Sequence, residues 1–108
     1  MEKGLTEDRQ ESERMAEKYL SRVPEDYVFY CCDGRSFRDL RELAAGLVAM
    51  SDSSFAYHVH SNKNDFSNWV RDIIQDEELA DELVRATTRF EAIGRVTTRM
   101  AMLTRGLP

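Results

Sequence analysis

E-E-L-A-D-E-L-V-R-A-T-T-R-F-E-A-I-G-R-V-T-T-R-M-A-M-L-T-R, residues 77–105, is the most regular stretch of the chain. Leu79, Leu83, Ala86, Phe90, Ile93, Thr97, Met100 and Thr104 alternate spacings of four and three, a heptad seam sustained for more than three repeats. Ala80, Thr87, Gly94 and Ala101 recur every seven beside it, all small, so a partner helix can approach closely. The pattern predicts one long C-terminal helix over 77–105, stopped by Gly106 and Pro108. Gly94, followed by Val96-Thr97-Thr98, is its weakest point and the place for a kink or a split. Arg85, Arg89, Arg95 and Arg99 fall within an arc of about 120° on another side.

Working back from that helix, Asp76 is a cap, with Glu77 and Glu78 in the first turn. Before it, Asn64 or Asp65 caps a helix on which Phe66, Trp69, Val70, Ile73 and Ile74 follow helical spacing. Residues 55–60 read as helix or strand; the Ser51-Asp52-Ser53-Ser54 start signal favours a helix capped by Ser51. Ser36 or Asp39 caps a helix to about Met50, with Phe37, Leu40, Leu43, Ala44, Leu47, Val48 and Met50 on its apolar side. Gly46 inside it suggests close packing or simple tolerance of a glycine there.

Y-V-F-Y-C-C, residues 27–32, reads as a strand. Asp33-Gly34 turns it into a hairpin with Arg35-Ser36-Phe37. A first helix over residues 6–21, capped by Thr6 and ended by Pro24, completes the chain. The expected fold is mainly α: a single-domain bundle of four to six helices with one short β-hairpin near residues 27–38. An N-terminal helix and linker (1–24) precede a core (25–84) that runs into the long helix (77–105). Expected core residues are Phe29, Leu40, Leu43, Leu47, Phe55, Val59, Phe66, Trp69, Ile73, Leu79, Leu83 and Phe90.

At 108 residues the chain suits one modest core. Net charge is -5, which argues against a general grip on nucleic acid. Charge is uneven: residues 1–84 hold ten Lys/Arg against nineteen Asp/Glu, and residues 85–108 hold five Arg and one Glu. There is no apolar run long enough to span a membrane and no secretory leader pattern. The adjacent Cys31-Cys32 do not make a disulfide framework, so a cytoplasmic setting is expected.

The motifs Asp33-Gly34, E-L-x3-L-x2-M from Glu42 to Met50, F-x-Y-H-V from Phe55 to Val59, N-D-F-x-N-W from Asn64 to Trp69, and D-x2-L-A-x2-L from Asp76 to Leu83 occur in that order. Over roughly residues 27–84 the chain resembles a small domain of unknown function from archaea and some bacteria. The resemblance implies a cytoplasmic prokaryotic module whose characteristic residues are Phe55, His58, Asn64, Asp65, Phe66 and Trp69. It brings no catalytic residue and no ligand.

Chemistry-bearing residues gather at His58, Asn62, Asn64 and Asp65, the candidate polar site. His58 with Asp65 has the makings of a general-base pair, but no motif supplies a nucleophile. A histidine that fixes how two helices meet is the simpler reading. Cys31, Cys32, His58 and His60 are four soft donors, yet adjacent cysteines match zinc-ligand spacing poorly, and no cofactor or metal is expected. The leading expectation is a non-catalytic protein-protein interaction module. It self-associates through Leu83, Ala86, Phe90, Ile93 and Met100, with Arg85, Arg89, Arg95 and Arg99 beside them. A small enzyme or metal protein using His58 and Asp65 is the alternative. Nucleic-acid binding through the arginines is a third and weaker one, and no membrane partner is expected.

Overall fold

Local sequence sets each helix start. Asp39 accepts the Glu42 N–H at 2.8 Å, and the Glu42 carboxylate reaches back to the Arg38 N–H at 2.8 Å. Ser51 accepts from Ser54, Asn64 from Ser67, Asp76 from Leu79 and Thr88 from Glu91 in the same way. The computed structural model describes the backbone from Glu2 and side chains from Arg9 to Pro108. Six helices result among the described residues: α1 (Glu2–Leu20), α2 (Leu40–Ala49), α3 (Asp52–His58), α4 (Asp65–Trp69), α5 (Glu77–Arg85) and α6 (Arg89–Arg105). Thr6, expected to cap the first helix, lies inside α1, and its side chain falls outside the described residues. α4 runs on as a π-helical turn, Val70–Ile74, and stops at Gln75, which takes the left-handed conformation.

Two short antiparallel hairpins join the helices, one more than the sequence suggested. β1 (Phe29–Tyr30) pairs with β2 (Ser36–Phe37), and β3 (Val59–His60) with β4 (Lys63–Asn64). The first turns through residues 31–35, where Gly34 sits at φ +94°. The second turns at Ser61, with φ 52°. Residues 55–60 are therefore helix as far as His58 and strand beyond it.

The expected long C-terminal helix is two. The break falls at residues 86–88, and α6 continues unbroken through Gly94. Thr88 accepts the Glu91 N–H at 3.1 Å while Glu91 takes the Thr87 N–H at 3.2 Å. A reciprocal cap of this kind favours starting a new helix over continuing the old one.

Packing follows the caps. α6 lies against α1, α2 and α5 and turns Ala92, Val96, Arg99 and Leu103 inward. Phe90, expected in the core, points away from that face and is 84% exposed. The other expected core residues are buried, with Val59 and Ile73 partly so. Phe29 is the aromatic hub, with ring centroids 5.6 Å from Phe37, 5.2 Å from Phe66 and 5.9 Å from Trp69. Trp69 donates its indole N–H to the Tyr27 carbonyl at 2.8 Å, anchoring α4 to the first hairpin. No helix of the described residues is long and apolar enough to cross a membrane.

Candidate functional site

His58 ends α3 and Asp65 opens α4; the β3–β4 turn between them folds the chain back on itself. This brings His58 Nδ1 to 2.9 Å from Asp65 Oδ2. On the opposite side of the ring, Nε2 accepts the backbone N–H of Cys32 at 3.0 Å. An accepting Nε2 places the proton on Nδ1, so the imidazole is the neutral tautomer donating to Asp65. Lys63 Nζ lies 3.4 Å from the same carboxylate oxygen. His58 is 4% exposed, and its ring packs against the stacked pair Phe29 and Phe66, each centroid 5.2 Å away.

The cysteine loop is ordered by its own backbone. Cys31 N–H donates to the Arg35 carbonyl at 2.8 Å and Gly34 N–H to the Cys31 carbonyl at 3.0 Å. A sulfur from each cysteine and a ring nitrogen of His58 lie within 4.8 Å of one another. Cys31 is buried and Cys32 exposed; both are free thiols. Burial pushes the Cys31 thiol up from its ordinary value, against a smaller lowering by a backbone hydrogen bond at Asp33. The Asp33 carboxyl is held below its usual value by the Arg35 N–H, which it accepts at 3.0 Å.

The sequence-predicted residues thus divide. His58 and Asp65 meet, and the cysteines join them. Asn62 is exposed in the turn, and His60 stands outside the cluster. Asn64 ties two helices together: Oδ1 caps α4 through the Ser67 N–H at 3.0 Å, and Nδ2 donates to the Leu83 carbonyl at 3.1 Å, closing the end of α5. Ser67 adds a buried bond from its hydroxyl to the Ala80 carbonyl at 2.7 Å. Chemically, His58 is a hydrogen-bonded corner joining the first hairpin, α3 and α4. A general base needs a free lone pair facing a substrate, and Nε2 is sealed and occupied.

Residues 22–103 match the Family of unknown function (DUF5752). The chain belongs to that family. The match reaches past the 27–84 span of the resemblance and takes in most of α6. No curated protein and no solved structure matches the chain.

The family span also encloses a second polar centre, formed by Asp76 and Arg99. Arg99 Nε is 2.7 Å from Asp76 Oδ2 and Nη2 is 3.1 Å from Oδ1, a bidentate pair whose side chains are 5% and 1% exposed. Nη1 donates to Glu78 at 3.2 Å, and the guanidinium lies 5.8 Å from the Tyr19 ring centroid. Burial alone would lower the Arg99 pKa, but the hydrogen bonds and charge of Asp76, with Glu78, carry it above its ordinary value. Asp76 also caps α5, so one carboxylate serves a helix start and a buried cation at once.

The expected association surface therefore changes. Leu83 and Ala86 are core residues and Arg99 is internal. Arg89 clamps the end of α2, bonding the Leu47 and Val48 carbonyls at 2.9 and 3.1 Å and Asp52 at 2.9 Å. Arg95 lies 3.7 Å from Glu82, and Arg85 is exposed. Phe90 is exposed, while Ile93 and Met100 are half-buried at the edge of α6. The larger grooves, about 520 Å³ between α1 and the end of α6 and about 650 Å³ beside the Arg99–Asp76 pair, are lined by neither His58 nor a cysteine.

Proposed function

We propose that the domain is a non-catalytic interaction module that self-associates through the outward face of α6. The observation that carries this reading is an uncharged stripe left on that face. With 100° per residue, Met100, Ile93, Thr104, Thr97, Phe90, Ala101 and Gly94 fall within an arc of about 120° that contains no charged residue. Phe90 is 84% exposed, and a Cβ built on Gly94 would meet nothing within 4 Å. Glycine in a helix interior costs about 1 kcal/mol relative to alanine, and nothing among the described residues requires it there. A second helix lying close against the stripe does require it.

The partner that fits is a second copy. In an antiparallel pair centred near Thr97 and Thr98, Gly94 of one copy faces Ala101 of the other. The same register sets Glu91 against Thr104 and Phe90 against Arg105, so no like charges face each other at these positions. The setting is a reducing prokaryotic cytoplasm, in which Cys31 and Cys32 stay free. Light scattering and sedimentation at high micromolar concentration test the reading. The expected result is a dimer that Phe90→Glu converts to monomer without loss of helical circular dichroism. A strict monomer at that concentration overturns it.

A further inference from the structure

The His58 corner has a property that helix joining does not use: a ring nitrogen of the histidine lies close to two thiols, within 4.8 Å, while Nε2 accepts only a backbone N–H that is exchangeable for another partner. We propose that Cys31, Cys32 and His58 form a binding site for one Zn2+ ion per chain, with solvent in the fourth position and Asp65 orienting the histidine.

Three features support it. The donors are already assembled, two sulfurs and one nitrogen mutually within 4.8 Å. Zinc–sulfur bonds of about 2.3 Å and zinc–nitrogen bonds of about 2.0 Å in a tetrahedron need sulfur–sulfur and sulfur–nitrogen separations of about 3.8 and 3.5 Å. Closing the cluster onto zinc therefore takes a contraction of about 1.3 Å at most, and rotation of the exposed Cys32 side chain can bring in its own sulfur. Next, the histidine is arranged as zinc-ligating histidines are: Nδ1–H is given to a carboxylate at 2.9 Å, which fixes the tautomer and leaves Nε2 as the ligand atom. Finally, the ring is held by Phe29 and Phe66, so little orientational freedom is lost on binding.

The charges balance as well. Two thiolates neutralise the dication, and each thiol releases its proton to solvent as its sulfur–zinc bond forms, while the imidazole keeps its Nδ1 proton on Asp65. Zinc replaces the Cys32 N–H on Nε2, and Cys32 is exposed, so water can accept that N–H instead.

The test uses the untagged full chain, reduced and free of oxygen, titrated with Co2+ and then Zn2+. The expected result is one Co2+ per chain, with thiolate-to-cobalt charge-transfer absorption and tetrahedral d–d bands that Zn2+ bleaches. Cys32→Ser, at an exposed position, removes the charge-transfer band. Asp65→Asn leaves the stoichiometry unchanged and weakens Zn2+ binding about ten- to a hundredfold, the usual range for losing a carboxylate behind a ligating histidine. His60→Asn changes nothing. Absence of the charge-transfer band, its persistence in Cys32→Ser, or unchanged affinity in Asp65→Asn overturns the proposal.

Discussion

Gly94→Gln separates the stability of the monomer from its association. A Cβ at position 94 would meet nothing within 4 Å, so the added side chain enters open space on a single chain. Glutamine is among the better helix formers and glycine is about 0.8–1 kcal/mol worse than alanine, so the isolated monomer gains about 0.5–1 kcal/mol. For a domain near this size each kcal/mol moves Tm by roughly 4–8 °C, so the expected rise is about 2–8 °C. On an α6–α6 interface the same side chain lands beside Ala101 of the partner and forces the helices apart. The predicted pattern is thus opposed: at low micromolar concentration Tm rises, and at high micromolar concentration sedimentation equilibrium reports association at least tenfold weaker, about 1.4 kcal/mol. A Tm that falls at low concentration would mean that the space around Gly94 is not open. A Tm that rises with association unchanged would mean that the stripe is not the contact, and the self-association reading would go with it.

Further perturbations test the interior. Arg99→Met leaves the Asp76 carboxylate buried without its cation and is expected to cost about 3–5 kcal/mol in urea unfolding, with part recovered in Arg99→Met/Asp76→Asn; a loss below about 1 kcal/mol would show that the pair is hydrated. Gly46→Ala drives a methyl into the Phe37 ring, itself 2% exposed, so overpacking of about 1–3 kcal/mol outweighs or cancels a helix-propensity gain of about 1 kcal/mol. An unfolding midpoint clearly above wild type would refute that contact. Native alkylation with iodoacetamide, read by mass spectrometry, should modify Cys32 and spare Cys31. Because burial raises the Cys31 pKa in the folded state, its contribution to stability is full below the unfolded thiol pKa and is lost as pH climbs through the folded one. Cys31→Ala should remove that part of the alkaline decline, and an unchanged alkaline limb would count against it.

Much of the fold is legible because caps and turns are local chemistry. Asp39, Ser51, Asn64 and Asp76 are short polar acceptors in front of apolar periodicity, and each does cap. The break at residues 86–88 is hidden because two successive amphipathic helices mimic one heptad series. Leu79, Leu83 and Ala86 face the core from α5, whereas Phe90 continues the spacing on a helix that has rotated away. The signal was there in Thr88 and Glu91, a capping pair three residues apart that outweighs seam regularity. Counting from that cap puts Arg99 on the line Ala92, Val96, Leu103, inside the protein. The second hairpin left little trace, because β3 and β4 are two residues each and their turn relies on Ser61 at positive φ. At the site, the His58–Asp65 pair can be suspected from residue types. The third partner is a backbone N–H of Cys32, and a main-chain donor has no signature in sequence.

α6 breaks the rule of amphipathicity on both sides at once. Its inner face buries a guanidinium and its outer face exposes a phenyl ring. The inner departure is compensated within the chain, since Asp76 and Glu78 satisfy Arg99 and the residual cost is one of desolvation. The outer departure has no such compensation: Phe90 forgoes about 1.5–3 kcal/mol of burial, and Gly94 adds about 1 kcal/mol of lost helix propensity on the same face. Sequences that fold well are locally consistent, and unrepaid inconsistencies concentrate where a function demands them. Two of them share one uncharged stripe within two turns of helix, and that coincidence supports the proposed self-association through the outside of α6 over any use of its grooves.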